Sequence, residues 1–100
     1  MAIIKNKQIY VENEYDLIRC MNGNTYKLLN IIRIMMKKGN TDSEGYVVLS
    51  HAKISLKMNI GNNVTRIIRD LEKYANVIEI KRGDTTTPNK FRIKDEFKML

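Results

Sequence analysis

This 100-residue chain offers few groups for covalent chemistry and many for holding a polyanion. Cys20 is its one cysteine and His51 its one histidine. One of each completes neither a tetrahedral zinc site nor an internal disulfide, so no metal and no cofactor is expected. No histidine accompanies a nucleophile, and Gly23, Gly39, Gly45, Gly61 and Gly83 form no phosphate-cradling run. Asp42, Glu44 and Asp70 are scattered acids, so the chain reads as a non-enzyme. What does stand out is a polar stripe of Asn62, Arg66, Arg69 and Lys73, diametrically opposite the helical apolar series Val64, Ile67, Ile68, Leu71 and Ala75. Asn63, Thr65 and Asp70 flank it. Arg pairs bidentately with guanine and Asn with adenine in the DNA major groove, each good contact worth ~1–3 kcal/mol of discrimination. Asn62, Asn63, Thr65 and Arg66 are therefore the candidate base readers, with Arg69 and Lys73 nearer the backbone. An ordinary solvated helix face has the same composition, so the surrounding elements must decide.

The charge leans the same way. Eighteen Lys and Arg against eleven Asp and Glu leave +7, with a pI near 9.6. Residues 1–23 balance three cations with three acids, so the whole excess lies after residue 23. That favours a polyanionic partner. With 43% hydrophobic and 29% charged residues, the chain belongs among folded domains, and its length suits one core. No stretch approaches the ~20 apolar residues of a membrane span. The start lacks the apolar run of a signal peptide, and the expected location is cytoplasmic, with the nucleoid or plasmid.

Several elements position the stripe. Ile3-Ile4 and Ile9-Tyr10-Val11 suit short strands, and Asn13 suits the cap of a helix over Glu14–Met21. Asn22-Gly23-Asn24 reads as a break. Asn24 or Thr25 then caps a helix ending near Gly39-Asn40, with Leu28, Leu29, Ile32, Met35 and Met36 on one face and Tyr26, Ile31 and Ile34 beyond it. So wide an apolar surface needs a second cover, either the N-terminal segment or another subunit. A turn over 41–45 leads to a strand over 46–49. Ser50 caps a helix over His51–Met58, Asn59-Ile60-Gly61 breaks it, and Asn62 caps a third helix to about Tyr74. Val77–Arg82 and Phe91–Lys94 alternate with period two and form a hairpin with a long polar tip. Residues 95–100 suit a last turn or an arm.

From residue 25 the order is helix, strand, helix, tight turn, helix, two-stranded hairpin. Over residues 25–94 the chain resembles the winged helix-turn-helix family, with Leu49-Ser50 opening the second helix and Val64–Tyr74 as recognition helix. Val77–Arg82 and Pro88-Asn89-Lys90-Phe91-Arg92-Ile93 then resemble the wing strands. Similar Pro-Asn-basic-aromatic-basic wings occur in low-GC plasmid and phage replication proteins. Ile, Asn and Lys, all drawn from A/T-rich codons, make up 37 residues here and agree with such a source. The resemblance implies an α+β, mainly α fold and one domain over 1–100, with 1–23 as an extension. The chain departs from the family by one residue fewer between Met58 and Val64, and by Asn59 where the turn usually has Gly.

The function implied is sequence-specific binding of double-stranded DNA by a repressor or a centromere-binding partition adaptor. Origin binding by a replication initiator, or a fold used only for protein contact, are the alternatives. Lys81, Arg82, Thr86, Lys90 and Arg92, joined by Lys94, are the expected wing contacts. Ser50, His51 and Lys53 are expected at phosphates. A homodimer is expected, through residues 1–23, the helix after residue 24 and the C-terminal tail. A filament-forming or replication protein is a further possible partner, and no membrane is involved.

Overall fold

A computed structural model describes residues 2–61, 63–84 and 86–98. Strands β1 (Ile3–Lys5) and β2 (Gln8–Tyr10) pair antiparallel around Asn6 and Lys7, which both take positive φ, 52° and 64°. That backbone matches the right-handed twist of a two-residue hairpin. Helix α1 (Glu14–Cys20) starts at Asn13, whose side chain accepts from the Asp16 N–H, and carries Glu14 and Asp16 at its positive end. Helix α2 (Gly23–Lys37) starts earlier than its apolar spacing suggests. The Asn22 side chain accepts from the Asn24 N–H at 3.0 Å, so Asn22 is the cap rather than Asn24 or Thr25. Gly23 opens the helix instead of breaking the chain.

In the loop that follows, the Asp42 carboxylate accepts from the N–H groups of Glu44 and Tyr46 and turns the chain into β3 (Val47–Leu49). Ser50 caps α3 (His51–Met58), accepting from the Lys53 N–H at 3.2 Å. Asn59, left-handed at φ 54°, ends it. Helix α4 (Val64–Leu71) is shorter than the apolar pattern suggests. Its end tightens, because the N–H groups of Lys73 and Tyr74 bond to the carbonyls of Asp70 and Leu71. Three residues per turn bring residue 74, not 75, back beneath Leu71. Tyr74 is accordingly buried and Ala75 only half-buried. Asn62, the expected cap, lies outside the described residues; Asn63 stands at the cap position and makes no side-chain capping bond.

Strands β4 (Ile78–Lys81) and β5 (Asn89–Ile93) form the second hairpin. β5 begins two residues before the expected Phe91, because Asn89 and Lys90 pair with Leu49 and Val48 of β3. The resulting three-stranded antiparallel sheet has the order β3-β5-β4. Asn89, Phe91 and Ile93 point into the core, and Lys90 and Arg92 alternate outward. A 3-10 turn over Asp95–Phe97 follows, with Phe97 buried. The described residues thus form an α+β fold of four helices and two small antiparallel sheets. Among the described residues no helix is long and apolar enough to cross a membrane.

The core centres on α2, whose Leu28, Leu29 and Ile32 are fully covered. The same chain supplies part of its second cover, while Ile34 stays 45% exposed. Buried Arg33 sends both terminal nitrogens to the Glu14 carboxylate of α1, at 2.8 and 2.6 Å, and its Nε to the Phe97 carbonyl at 3.0 Å. The Tyr26 hydroxyl also donates to Glu14.

Glu14→Gln leaves the Arg33 charge buried without its counter-ion. With Glu14 itself partly exposed, the loss should be ~2 kcal/mol of unfolding free energy in urea titrations. Arg33 holds the Glu14 carboxyl below its ordinary value of 4.5. A depressed folded pKa stabilises above the unfolded value and loses that contribution as pH falls through the folded one. The difference between wild type and variant should therefore persist from neutral pH to about 4.5 and close in more acidic solution.

Candidate nucleic-acid interface

Helix α4 is sharply two-sided. Val64, Ile67, Ile68 and Leu71 are buried, while Asn63, Thr65, Arg66, Arg69 and Lys73 are exposed. Its roll about its own axis is held by one cross-helix bond: the buried Thr25 hydroxyl of α2 donates to Asp70 Oδ2 at 2.7 Å. The other Asp70 oxygen lies 3.6 Å from Lys73 Nζ. Arg66 and Arg69 form no ion pair among the described residues. They border a notch of about 330 Å³ between α4 and the start of α2, which Asn22, Asn24, Asn63 and Lys73 also line. Asn62 lies outside the described residues.

A second concavity, of about 700 Å³, separates the start of α3 from the loop between β4 and β5. Ser50, His51 and Lys53 line one side, and Asp84, Thr86 and Thr87 the other. The Ser50 hydroxyl is occupied as the helix cap, whereas the His51 and Lys53 side chains are exposed. The loop is folded by its own polar groups. Asp84 Oδ1 accepts from the Thr86 N–H, the Thr87 N–H and the Thr86 hydroxyl, at 2.8, 2.8 and 2.9 Å. Buried Asn89 accepts from the Gly83 N–H at 3.0 Å. A Cβ at Gly83 would stand 1.8 Å from the Thr87 carbonyl oxygen, so this position admits only glycine. Thr85 is outside the described residues.

The hairpin cations have a different environment from those of α4. Arg82 forms a forked pair with Glu72, just beyond α4. Lys90 lies 3.0 Å from Asp42. Arg92 donates to Glu79 at 2.8 Å and to the Glu44 carbonyl at 3.0 Å. Lys81 and Arg92 both lie over the Tyr46 ring, 4.7 and 4.3 Å from its centroid, and the Tyr46 hydroxyl donates to Glu79 at 2.6 Å. The Tyr46 hydroxyl and Arg92 hold the Glu79 carboxyl below the usual range, and the Tyr46 N–H and Lys90 do the same for Asp42. The outer face of the sheet is thus largely self-neutralised.

No family model, curated protein or solved structure matches the chain. The site must be judged on its own chemistry. Among the described residues no three His, Cys, Asp or Glu side chains are placed to hold a metal ion, and Cys20 is exposed. The structure brings Asn63, Thr65, Arg66, Arg69 and Lys73 together on one surface, and His51 and Lys53 on another. It gives Arg82, Lys90 and Arg92 partners inside the protein. Sequence reading missed Thr25 and Asp70 as a pair, Tyr46 as a platform, and Asn89 as the support of the loop. Only Asn89, set among alternating apolar residues, carried a local signal.

Tyr46→Phe removes the bond to Glu79 and should cost ~1 kcal/mol in urea unfolding. Tyr46→Leu also removes the ring beneath two cations and should cost more.

Proposed function

We propose that this chain binds double-stranded DNA sequence-specifically as a winged helix-turn-helix protein, works as a dimer, and acts as an operator- or centromere-binding regulator. The carrying observation is that Arg66 and Arg69 have no acidic partner among the described residues. They share the exposed face of α4 with Asn63 and Thr65. Eight helical residues span ~12 Å, about the width of the major groove. In this reading α3 and α4 are the helix-turn-helix, and α4 enters the groove with Thr65 and Arg66 toward base edges. Arg69 and Lys73 lie toward phosphates, which position the protein without specifying sequence. His51 and Lys53 take a phosphate beside the start of α3. The β4–β5 hairpin is the wing.

Element order, the β3-β5-β4 sheet and the +7 charge support the same assignment. The paired wing cations refine it. Arg82, Lys90 and Arg92 must give up internal partners before engaging DNA, so most of the electrostatic gain falls to α4 and α3. A repressor, a partition adaptor and an origin-binding protein share this binding chemistry and differ in what they recruit.

The test is fluorescence anisotropy with duplexes of selected and random sequence across a salt series. Arg66→Ala should cost ~1–3 kcal/mol and relax base preference. Arg69→Ala should weaken all sequences alike and flatten the slope of log K against log salt by about 1. Lys90→Ala should change that slope less than Arg69→Ala does. Absence of salt-dependent binding to any duplex would reject the reading and leave protein contact as the role of the fold.

A further inference from the structure

Seven large apolar side chains are exposed among the described residues, and five of them fall between residues 3 and 18: Ile3, Ile4, Tyr10, Tyr15 and Ile18. They are between 41% and 76% exposed. Successive strand side chains lie on opposite faces, so Ile3 shares a face with its cross-strand neighbour Tyr10 while Ile4 lies on the other, and both flank the outer edge of β1. On the other two interface candidates, Glu14 and Phe97 of the same chain meet Arg33 of α2, Phe97 is buried, and Ile34 is the one large apolar side chain on α2 that is exposed among the described residues.

Among the described residues, β1 pairs on one side only, with β2. The Ile9 N–H donates to the Lys73 carbonyl at 2.8 Å and so points away from β1. Ile4, directly opposite Ile9, is therefore in a non-hydrogen-bonded pair, and its own N–H and carbonyl face the open edge. An edge of this kind is self-complementary about a two-fold axis.

We propose that the β1 edge and the exposed apolar side chains flanking it receive a second copy of this chain, with the two β1 strands pairing antiparallel about Ile4. Each Ile4 donates to and accepts from its twin. This register sets Ile3 of one copy opposite Lys5 of the other, so like charges are not juxtaposed. Residues 1–23 carry no net charge, whereas the remainder carries the full +7. Two strongly cationic molecules therefore meet where repulsion is least. Cross-strand neighbours Ile3 and Tyr10, and Tyr15 with Ile18 one turn apart on α1, supply the apolar contact. The proposal gives the dimer of the preceding reading its contact surface, but it stands on observations that do not involve DNA.

The experiment is sedimentation of the full chain without DNA at tens of micromolar, where mass action favours association. Wild type should sediment at twice 11.7 kDa. Ile4→Pro removes the outward N–H while leaving the β1–β2 bonds of Ile3 and Lys5, and should weaken association tenfold or more. Ile18→Glu should weaken it several-fold, and both variants should keep the far-ultraviolet dichroism of wild type. A monomeric wild type, or an Ile4→Pro protein that associates as wild type does, overturns the proposal. Wild type that is dimeric yet binds no duplex overturns the DNA reading and leaves this one standing. Monomeric Ile4→Pro that still binds a half-site duplex in a salt-dependent way supports both.

Discussion

The packing of this small protein depends on one buried guanidinium. Arg33 is 5% exposed on a helix whose Leu28, Leu29 and Ile32 are fully covered. A charge taken out of water must have its donors met. Glu14 takes two of them, Asn30 accepts a third at 3.0 Å, and the Phe97 carbonyl takes Nε. Those partners sit on α1, on α2 itself and on the C-terminal turn, so one side chain dictates how three segments meet. The net gain in free energy is small, because desolvation offsets much of the attraction. The gain in definition is larger, since any other placement of α1 would leave Arg33 unsatisfied. The same helix also holds α4, through the bond from Thr25 to Asp70.

Among the eighteen cations, two groups stand apart by what they touch. Arg33, Arg82, Lys90 and Arg92 are tied to carboxylates at 3.0 Å or less, and Lys81 lies over an aromatic ring. These cations hold α1, the end of α4 and the outer face of the sheet. Exposed ion pairs contribute little each, yet around Tyr46 they share acceptors and a ring and so restrain one another. Arg66 and Arg69 have no acidic partner among the described residues. A like-charged pair one turn apart on a helix is mildly unfavourable by itself. Its presence on a face with no internal use is the strongest physical reason to assign that face to a polyanion.

Much of this was legible from local rules. Asn13 and Ser50 cap the helices they were expected to cap, α3 runs from His51 to Met58, and the inward series Val64, Ile67, Ile68 and Leu71 is buried. Periodicity and capping are short-range, so they survive into the fold. The errors at helix ends came from competing local bonds. Asn22 displaced Asn24 or Thr25 because side-chain capping requires only an acceptor two residues back. Tyr74 displaced Ala75 because the end of α4 tightened. The cationic stripe was visible, but which cations were spent internally was not. Arg82 lies ten residues from Glu72, Arg92 thirteen from Glu79 and Lys90 forty-eight from Asp42, distances over which spacing carries no information. Thr25 and Asp70 are 45 residues apart, and neither has a sequence signature.

The turn between α3 and α4 shows how a departure from the usual pattern is accommodated. Asn59 is left-handed, its N–H bonds to the Leu56 carbonyl, and the Ile60 N–H reaches back to Ser55. This is the two-bond closure normally built on glycine, and asparagine is among the few residues that tolerate the conformation. The Ser55 hydroxyl adds a bond to the Ile60 carbonyl, while Ile60 packs on the core. The connection is therefore short and well braced at its start. The last turn of α4 is held by Thr25 on Asp70, and the turn beyond the helix by the Ile9 N–H on the Lys73 carbonyl. Fixed at these three points, the face carrying Thr65, Arg66 and Arg69 is ordered in advance, which would remove one cost of the proposed association with DNA. The same Ile9 bond links α4 directly to the hairpin whose open edge is β1. Two copies joined through that edge would thus hold their α4 faces in a spacing set by backbone hydrogen bonds rather than by a flexible linker.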